Sequence, residues 1–332
     1  MESTNASCPA TQAFLHERGT ILLAGSEYYD ISPIIAAIES GGYQLLLVKD
    51  NSGAAVAAAE TCPDLVLLDF ATELGGHFTS LKKLKPPDTE EYLPVILISH
   101  TEEFIERLLV FNEGADDLFF TPLPFAAFLS RIEVLIHIRK LIHLVGKCEN
   151  IRSPRWCSAQ GDAKVTSLHE KIFTCVRNDL SVLSGRKLSL VMERGELDST
   201  LKGTALTREY IGDLADMKKM KALLSHLSKD LRIGSEKWNS IIVATSEALS
   251  NVIKYAGKGS VALWKNNSTL SVRIDDEGPG VRLKDILRSV FIKCHSRQRI
   301  HKLGYPLMME LADELIIYTG TEGTSLVLHF SL

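Results

Sequence analysis

Asp276-Glu277-Gly278-Pro279-Gly280 follows a segment, Thr269–Asp275, in which Leu270, Val272 and Ile274 alternate with polar residues. Such alternation is typical of a strand with one face on a core. The glycines after it allow a tight turn and let a ligand approach the backbone. A carboxylate held there can accept a hydrogen bond from an exocyclic amine such as that of adenine. A simple acidic turn would explain the motif equally well.

A helical pattern over Glu236–Ala256 precedes this strand. At about 100° per residue, Glu247, Asn251 and Lys254 lie together opposite the apolar stripe. The carboxylate can accept a proton or position a water, the amide oxygen can ligate Mg²⁺, and the ammonium can contact a phosphate. Taken alone, these three residues also fit a solvated helix face.

Two more glycine-containing pieces follow in order. Leu303-Gly304-Tyr305-Pro306-Leu307 opens a helical segment, and Gly320-Thr321-Glu322-Gly323-Thr324 precedes the last strand. A glycine at a helix start can admit a phosphate to free backbone N–H groups. The four pieces together predict a nucleotide site.

These four pieces resemble the GHKL ATPase fold, which histidine kinases, gyrase, Hsp90 and anti-sigma-factor kinases share. The resemblance covers about Thr207–Leu332 and rests on "ATSEALSNVIKYAGKG", "DDEGPGV", "LGYPLMMELADEL" and "GTEGTSLVLHF". It is strongest for the compact anti-sigma and switch-kinase branch, whose members phosphorylate Ser or Thr on a small antagonist protein in partner-switching pathways. It implies an α+β GHKL (Bergerat-type) sandwich, with ATP and Mg²⁺ as cofactors.

The resemblance also implies a role for individual residues. By motif these are Glu247 as base, Asn251 as the Mg²⁺ ligand, Lys254 at a phosphate, Asp276 at adenine with Gly278 and Gly280 beside it, Gly304 at the phosphates and Thr324 near the adenine.

The chain departs from this family in its lid, which usually carries several glycines just before the Leu-Gly pair. Here that stretch, Lys293–Lys302, has none. Backbone without glycine is poorly suited to surround phosphate, although Arg297, Arg299 and Lys302 could substitute by charge. The departure bears on turnover more than on the fold.

The first part of the chain has a different pattern, because short apolar strands alternate with amphipathic helices from Thr20 to about Val145. Strands that are apolar on both faces are typical of a parallel sheet covered on both sides. The pattern predicts a (βα)5 doubly wound domain.

This domain resembles the receiver domain of response regulators. The resemblance rests on "PDLVLLDF", where Asp69 ends the third strand, "PVILIS", where Ser99 ends the fourth, and "GADDLFF" at the fifth. Gly25-Ser26 stands where the family has its acidic Mg²⁺ ligands, and Thr121-Pro122-Leu123 lacks the usual Lys. We therefore expect a pseudo-receiver that is not phosphorylated, in which Asp69 and Ser99 are vestigial. An acid capping the following turn is the competing interpretation of Asp69.

The sequence divides into four parts. We expect a flexible tail at 1–18, a receiver-like domain at 19–145, a helical linker at 146–204 and a GHKL ATPase domain at 205–332. The helices that flank Glu149–Gly161 favour a homodimer.

Composition excludes several classes of protein. The 332 residues carry a net charge of −4, which argues against a nucleic-acid partner. No apolar run reaches the ~18 residues of a membrane span. Six scattered cysteines without a Cys-x-x-Cys, and no signal-peptide pattern, predict a cytoplasmic location.

Three functions remain open. The first is a bacterial partner-switching serine/threonine kinase that uses ATP and Mg²⁺. The second is a catalytically weak or inactive GHKL regulator that binds a sigma factor or an antagonist. The third is an atypical histidine kinase, for which His169-Glu170 on a helix is the candidate. Against it, His169 lacks a following Pro, and the sequence indicates only one clear helix before the strand-like Lys187–Val191.

Overall fold

The computed structural model describes residues 18–25, 30–70, 78–86, 91–99, 113–151, 163–231, 233–291 and 304–332. The chain divides near residue 146 into two compact units. The expected tail at 1–18 lies outside the described residues except for Arg18. The sequence pattern also predicts a helix at 103–112, which lies wholly outside them.

The N-terminal unit is built on a sheet of five parallel strands in the order β2-β1-β3-β4-β5. This confirms the predicted parallel α/β domain. The strands are β1 Thr20–Ala24, β2 Gln44–Val48, β3 Leu65–Asp69, β4 Val95–Ser99 and β5 Asp117–Phe120. The described helices are α1 Ser32–Ser40, α2 Asn51–Thr61, α3 Thr79–Leu84 and α4 Phe125–Ile151.

Alternate side chains of the central strands enter two separate hydrophobic clusters, one on each face of this sheet. On β1, Leu22 packs with α2 and α3 residues such as Ala54 and Leu81, whereas Ile21 packs with α1 and α4 residues such as Ile38 and Phe128. Burial on both faces explains why the strands are apolar throughout.

The fully buried carboxylate of Asp116 connects several segments of this unit through its side-chain contacts. It forms an ion pair with Lys85 and accepts hydrogen bonds from the Tyr92 hydroxyl at 3.1 Å and the Val95 N–H at 2.7 Å. A buried charge is tolerated only when it is paired and hydrogen-bonded, and Asp116 meets both conditions.

The C-terminal unit contains a mixed sheet of six strands in the order β6-β10-β11-β9-β8-β7. Only the β6–β10 pair is parallel, and the other pairs are antiparallel. The strands are β6 Leu188–Leu190, β7 Thr204–Ile211, β8 Gly259–Lys265, β9 Thr269–Asp276, β10 Glu314–Gly320 and β11 Gly323–Ser331.

The helices of this unit are α5 Ala163–Leu183, α6 Arg194–Thr200, α7 Leu214–Leu231, α8 Ser235–Asn251, α9 Leu283–Phe291 and α10 Gly304–Leu311. Helix α8 contacts α7, α10 and β9, and it buries Trp238, Ile241 and Leu249. Helix α6 contacts β10, where Leu197 joins a cluster with Ile316 and Val327.

The sheet begins earlier than the boundary predicted at residue 205. Leu188–Leu190 pairs with Leu315–Ile317, and helix α6 packs beside it, so residues assigned to a helical linker belong to this unit. The sequence pattern indicates a strand at Lys187–Val191, but its pairing with a strand more than 120 residues away is set by tertiary contacts that no local pattern shows.

Two helices also differ from the sequence patterns. Helix α4 continues to Ile151, beyond the end predicted near Val145. The helix expected over Glu236–Ala256 is α-helical only to Asn251, and a π-helix follows at Val252–Ala256. In the described part of the chain, no helix has the length and apolar character needed to span a membrane.

Candidate functional site

The Asp276 carboxylate is fixed by two backbone donors. Its Oδ1 accepts the N–H of Gly278 at 2.8 Å and the N–H of Thr324 at 3.0 Å. Within the described residues, Oδ2 makes no hydrogen bond. One oxygen therefore orients the group, and the other remains able to accept a donor from a ligand.

Two glycines of the motif are required by the protein's own packing. Gly280 has a φ of +75°, and a Cβ there would lie 2.3 Å from the carbonyl oxygen of Gly320. A Cβ at Gly278 would lie 2.8 Å from Cβ of Ala256. These glycines let the loop pack against the β10–β11 hairpin and the end of the π-helix, so ligand approach is not needed to explain them.

The first residue of α10 lies beside two side chains of α8. A Cβ on Gly304 would be 2.9 Å from Nδ2 of Asn251 and 3.1 Å from Oε1 of Glu247. The structure therefore brings together three residues that the sequence assigned to one end of the site. The Glu247 carboxylate, which can accept a proton, and the Asn251 amide, which can ligate a metal ion, therefore lie beside the backbone of Gly304.

Lys254, the third polar residue predicted on this helix face, lies in the π-helical turn that follows α8. The N–H of Gly257 donates to the carbonyl of Val252 at 2.9 Å, an i→i−5 bond that widens the turn containing Lys254. The Lys254 side chain is exposed, and its Nζ lies 5.2 Å from the ring centroid of Tyr255. Among the described residues it makes no ion pair with Glu247, so the face predicted from a continuous α-helix is altered here.

Tyr305 follows Gly304 and was not singled out by the sequence patterns. Burial raises its pKa, and the nearby Asp276 and Tyr255 raise it further. The start of α10 therefore carries a phenol whose charge state is influenced by the Asp276 carboxylate. Its position directly after Gly304 is the one signal that could have identified it.

The residues present fit an adenine nucleotide with Mg²⁺. Asp276 offers an uncommitted carboxylate oxygen, and Gly304 lets the Asn251 amide and the Glu247 carboxylate approach the start of α10 closely. Oxygen donors of this kind suit Mg²⁺ and phosphate chemistry. The lid predicted at Lys293–Lys302 lies outside the described residues.

In the N-terminal unit, Asp69 and Ser99 end the neighbouring parallel strands β3 and β4, and both are buried. The side chain of Asn51, which the sequence patterns missed, donates to the Asp69 carbonyl at 2.8 Å and accepts the Asp69 N–H at 3.3 Å. Leu123, near the position of the expected Lys, packs into the cluster around Phe128. Gly25 directly follows β1 at the same edge of the sheet, and Ser26 lies outside the described residues.

Comparison with known proteins agrees with this division. Residues 212–330 match the family described as "Histidine kinase-like ATPase domain". The chain is 28% identical over 100 residues to "Response regulator PleD" of Caulobacter vibrioides, covering 30% of this chain and 22% of that protein. It is 27% identical over 99 residues to "Phosphate regulon transcriptional regulatory protein PhoB" of Escherichia coli, covering 30% and 43%. The chain thus spans less than half the length of either relative.

A solved structure, the signal receiver domain of a modulated diguanylate cyclase from Desulfovibrio desulfuricans G20, is 19% identical with a TM-score of 0.32 and covers 38% of this chain and 98% of that one. The family match and the response-regulator relatives support an N-terminal receiver-like domain followed by a C-terminal histidine kinase-like ATPase domain.

Proposed function

Because a receiver-like domain precedes a histidine kinase-like ATPase domain, we propose that this is a bacterial signalling protein that phosphorylates serine or threonine in partner switching. The observation that carries the proposal is the contact of Gly304 with Asn251 and Glu247, with the fixed Asp276 carboxylate at the other end of the site. The finer GHKL sandwich, the cytoplasmic location and the anti-sigma branch are parts of the same proposal.

Each residue of the candidate site has a distinct proposed role. Asp276 would orient the base through its uncommitted oxygen, and Asn251 would hold Mg²⁺ through its amide oxygen. ATP supplies the γ-phosphoryl group when bound, and Mg²⁺ supplies the charge that balances it. Glu247 would accept the proton of the acceptor hydroxyl, whose oxygen forms the new bond to phosphorus while ADP leaves.

Nucleotide binding is tested by calorimetry with Mg-ATP. We expect Asn251→Ala to weaken binding at least tenfold, because the metal ligand is lost. Asn239→Ala is the matched control, since Asn239 is an exposed residue on the same helix. Absence of Mg-ATP binding by the unaltered protein, or equal affinities for the two variants, would remove the basis of the proposal.

Transfer is tested with γ-labelled ATP and protein extract from the organism that encodes the chain. Acid-stable phosphoserine or phosphothreonine that disappears in Glu247→Gln supports the kinase. Acid-labile label that disappears in His169→Ala supports a histidine kinase instead.

A regulator that binds nucleotide and partner without transfer is the second candidate. It is favoured by the absence of glycine from Lys293–Lys302. Nucleotide binding without any label transfer in the preceding experiment would establish it over the kinase.

The receiver-like domain is proposed to regulate or dimerise the protein without being phosphorylated. Acetyl phosphate with Mg²⁺ should leave Asp69 unmodified by mass spectrometry, whereas a stable phosphoaspartate there contradicts this part. A homodimer and a protein partner of the antagonist or sigma-factor type also belong to the proposal, and sedimentation of the full chain measures the first.

A further inference from the structure

Arg194, in the first turn of α6, contacts the backbone behind the Asp276 carboxylate. Its Nη2 donates to the carbonyl of Asp276 at 3.3 Å and to the carbonyl of Glu322 at 3.0 Å. Its guanidinium carbon lies 5.4 Å from the ring centroid of Tyr318. One side chain therefore bridges the end of β9 and the β10–β11 hairpin.

The bridged segments are also the ones that orient the carboxylate. The hairpin supplies the Thr324 N–H that binds Oδ1 of Asp276. At Gly323, with a φ of +113°, a Cβ would lie 2.0 Å from the Asp276 carbonyl oxygen, so the two backbones are already in contact. The Arg194 guanidinium binds both carbonyls and so stabilises the close packing of the loop against the hairpin, because charged donors form stronger hydrogen bonds than neutral ones.

Helix α6 holds Arg194 in place. Oε1 of Glu196 accepts the N–H groups of Met192 and Glu193, at 2.8 and 3.0 Å. Leu197 is fully buried against Ile316 and Val327. The arginine thus extends from an anchored turn, and it lies outside residues 212–330, which match the ATPase family.

We propose that Arg194 is a positioning residue that sets how well the Asp276 carboxylate distinguishes a base carrying an exocyclic amine. The inference rests on the proposed function, because it assumes a nucleotide at Asp276. Without Arg194 the loop and the hairpin separate more easily, and Oδ2 loses its fixed direction. A site that hydrogen-bonds a ligand amine owes its selectivity to such fixed geometry.

The test compares the affinities for Mg-ATP and for the inosine triphosphate complex, which lacks the amine, in Arg194→Gln, Arg194→Lys and the control Arg177→Gln. Arg177 forms an ion pair with Glu196 of the same helix at 3.7 Å without contacting Asp276 in the described structure. We expect the preference for ATP over the inosine nucleotide to fall about tenfold in Arg194→Gln, because one or two charged hydrogen bonds are lost. This preference should recover partly in Arg194→Lys. It should be unchanged in Arg177→Gln.

An unchanged ATP preference in Arg194→Gln, in a protein that otherwise prefers ATP, overturns the inference and leaves the proposed function standing. If the unaltered protein binds neither nucleotide, the proposed function fails and the claim of base selectivity fails with it, whereas amide exchange still tests whether Arg194 holds the loop and the hairpin together. Faster exchange at Gly278 and Thr324 in Arg194→Gln than in Arg177→Gln supports the bridge, and equal rates contradict it. Thermal unfolding identifies a variant that fails to fold, in which case Arg194→Lys carries the test.

Discussion

Oδ1 of Asp276 accepts the backbone N–H of Thr324 at 3.0 Å, although 48 positions separate the two residues. This bond joins the loop after β9 to the final hairpin and gives the carboxylate a direction. The same oxygen also binds the N–H of Gly278, so the orientation does not depend on a ligand.

Gly304→Ala should weaken Mg-ATP binding about tenfold or more while changing the free energy of unfolding by no more than about 1 kcal/mol. The added methyl would lie 2.9 Å from Asn251 Nδ2 and 3.1 Å from Glu247 Oε1, and would displace the proposed metal ligand and the proposed base. Calorimetry gives the affinity. Gly195→Ala is the control, because a Cβ there meets nothing within 4 Å. Full affinity in Gly304→Ala would show that this contact does not shape the site.

Gly280→Ala should destabilise the C-terminal unit by about 2–4 kcal/mol. Its φ of +75° is unfavourable for alanine, and the methyl would lie 2.3 Å from the Gly320 carbonyl oxygen. Gly185 has a similar φ of +64°, but a Cβ there would meet nothing within 4 Å. Gly185→Ala therefore measures the free-energy cost of alanine at a positive φ without a steric contact. Urea unfolding followed by the fluorescence of buried Trp238 measures both. Equal destabilisation by the two changes would argue against the steric contact.

Asp116→Ala should destabilise the N-terminal unit by about 3–5 kcal/mol, because it leaves the largely buried Lys85 without its counter-charge. Glu113→Gln, which breaks the more exposed pair with Lys82 at 3.2 Å, should cost less than about 1 kcal/mol. Circular dichroism during urea unfolding of the full chain resolves the difference. A cost below 1 kcal/mol for Asp116→Ala would mean that the buried network is not needed for stability.

The stability of the C-terminal unit should fall in acid partly because of His329. Burial lowers the pKa of this histidine from its ordinary 6.5, against a raising effect of Glu314, and Lys202 lowers it slightly. As the pH falls below 6.5 towards the lowered pKa of the folded protein, the unfolded chain binds more protons than the folded protein does. The free energy of unfolding therefore decreases with falling pH.

His329→Gln should flatten this dependence, whereas replacing exposed His226 with Gln should not. Trp238 fluorescence during urea unfolding at several pH values measures the slope. The Ser271 hydroxyl, 2.8 Å from Nδ1 of His329, remains as a partner for the introduced amide. An unaltered slope in His329→Gln would assign the pH dependence to other groups.

The sequence by itself determined the elements with a strong repeating pattern. The apolar strands predicted a parallel sheet because side chains buried on both faces must all be apolar, and the clusters around Leu22 and Ile21 confirm it. The order of Glu247, Asn251, Asp276 and Gly304 predicted which residues share a site, since helix geometry relates the first two and each glycine marks a close approach.

The tertiary structure alone decided the rest. A π-helical turn at Val252–Ala256 changes the position of Lys254 on the helix from the one predicted, because helix periodicity assumes a uniform turn. Asn51 reaches Asp69, and Arg194 reaches Asp276, across distances in the chain that no local pattern encodes. Such contacts depend on strand order, and here the parallel pairing of β6 with β10 places Arg194 beside the loop. Local patterns set the elements and their glycines, whereas non-local packing selects the side chains that hold the site in position.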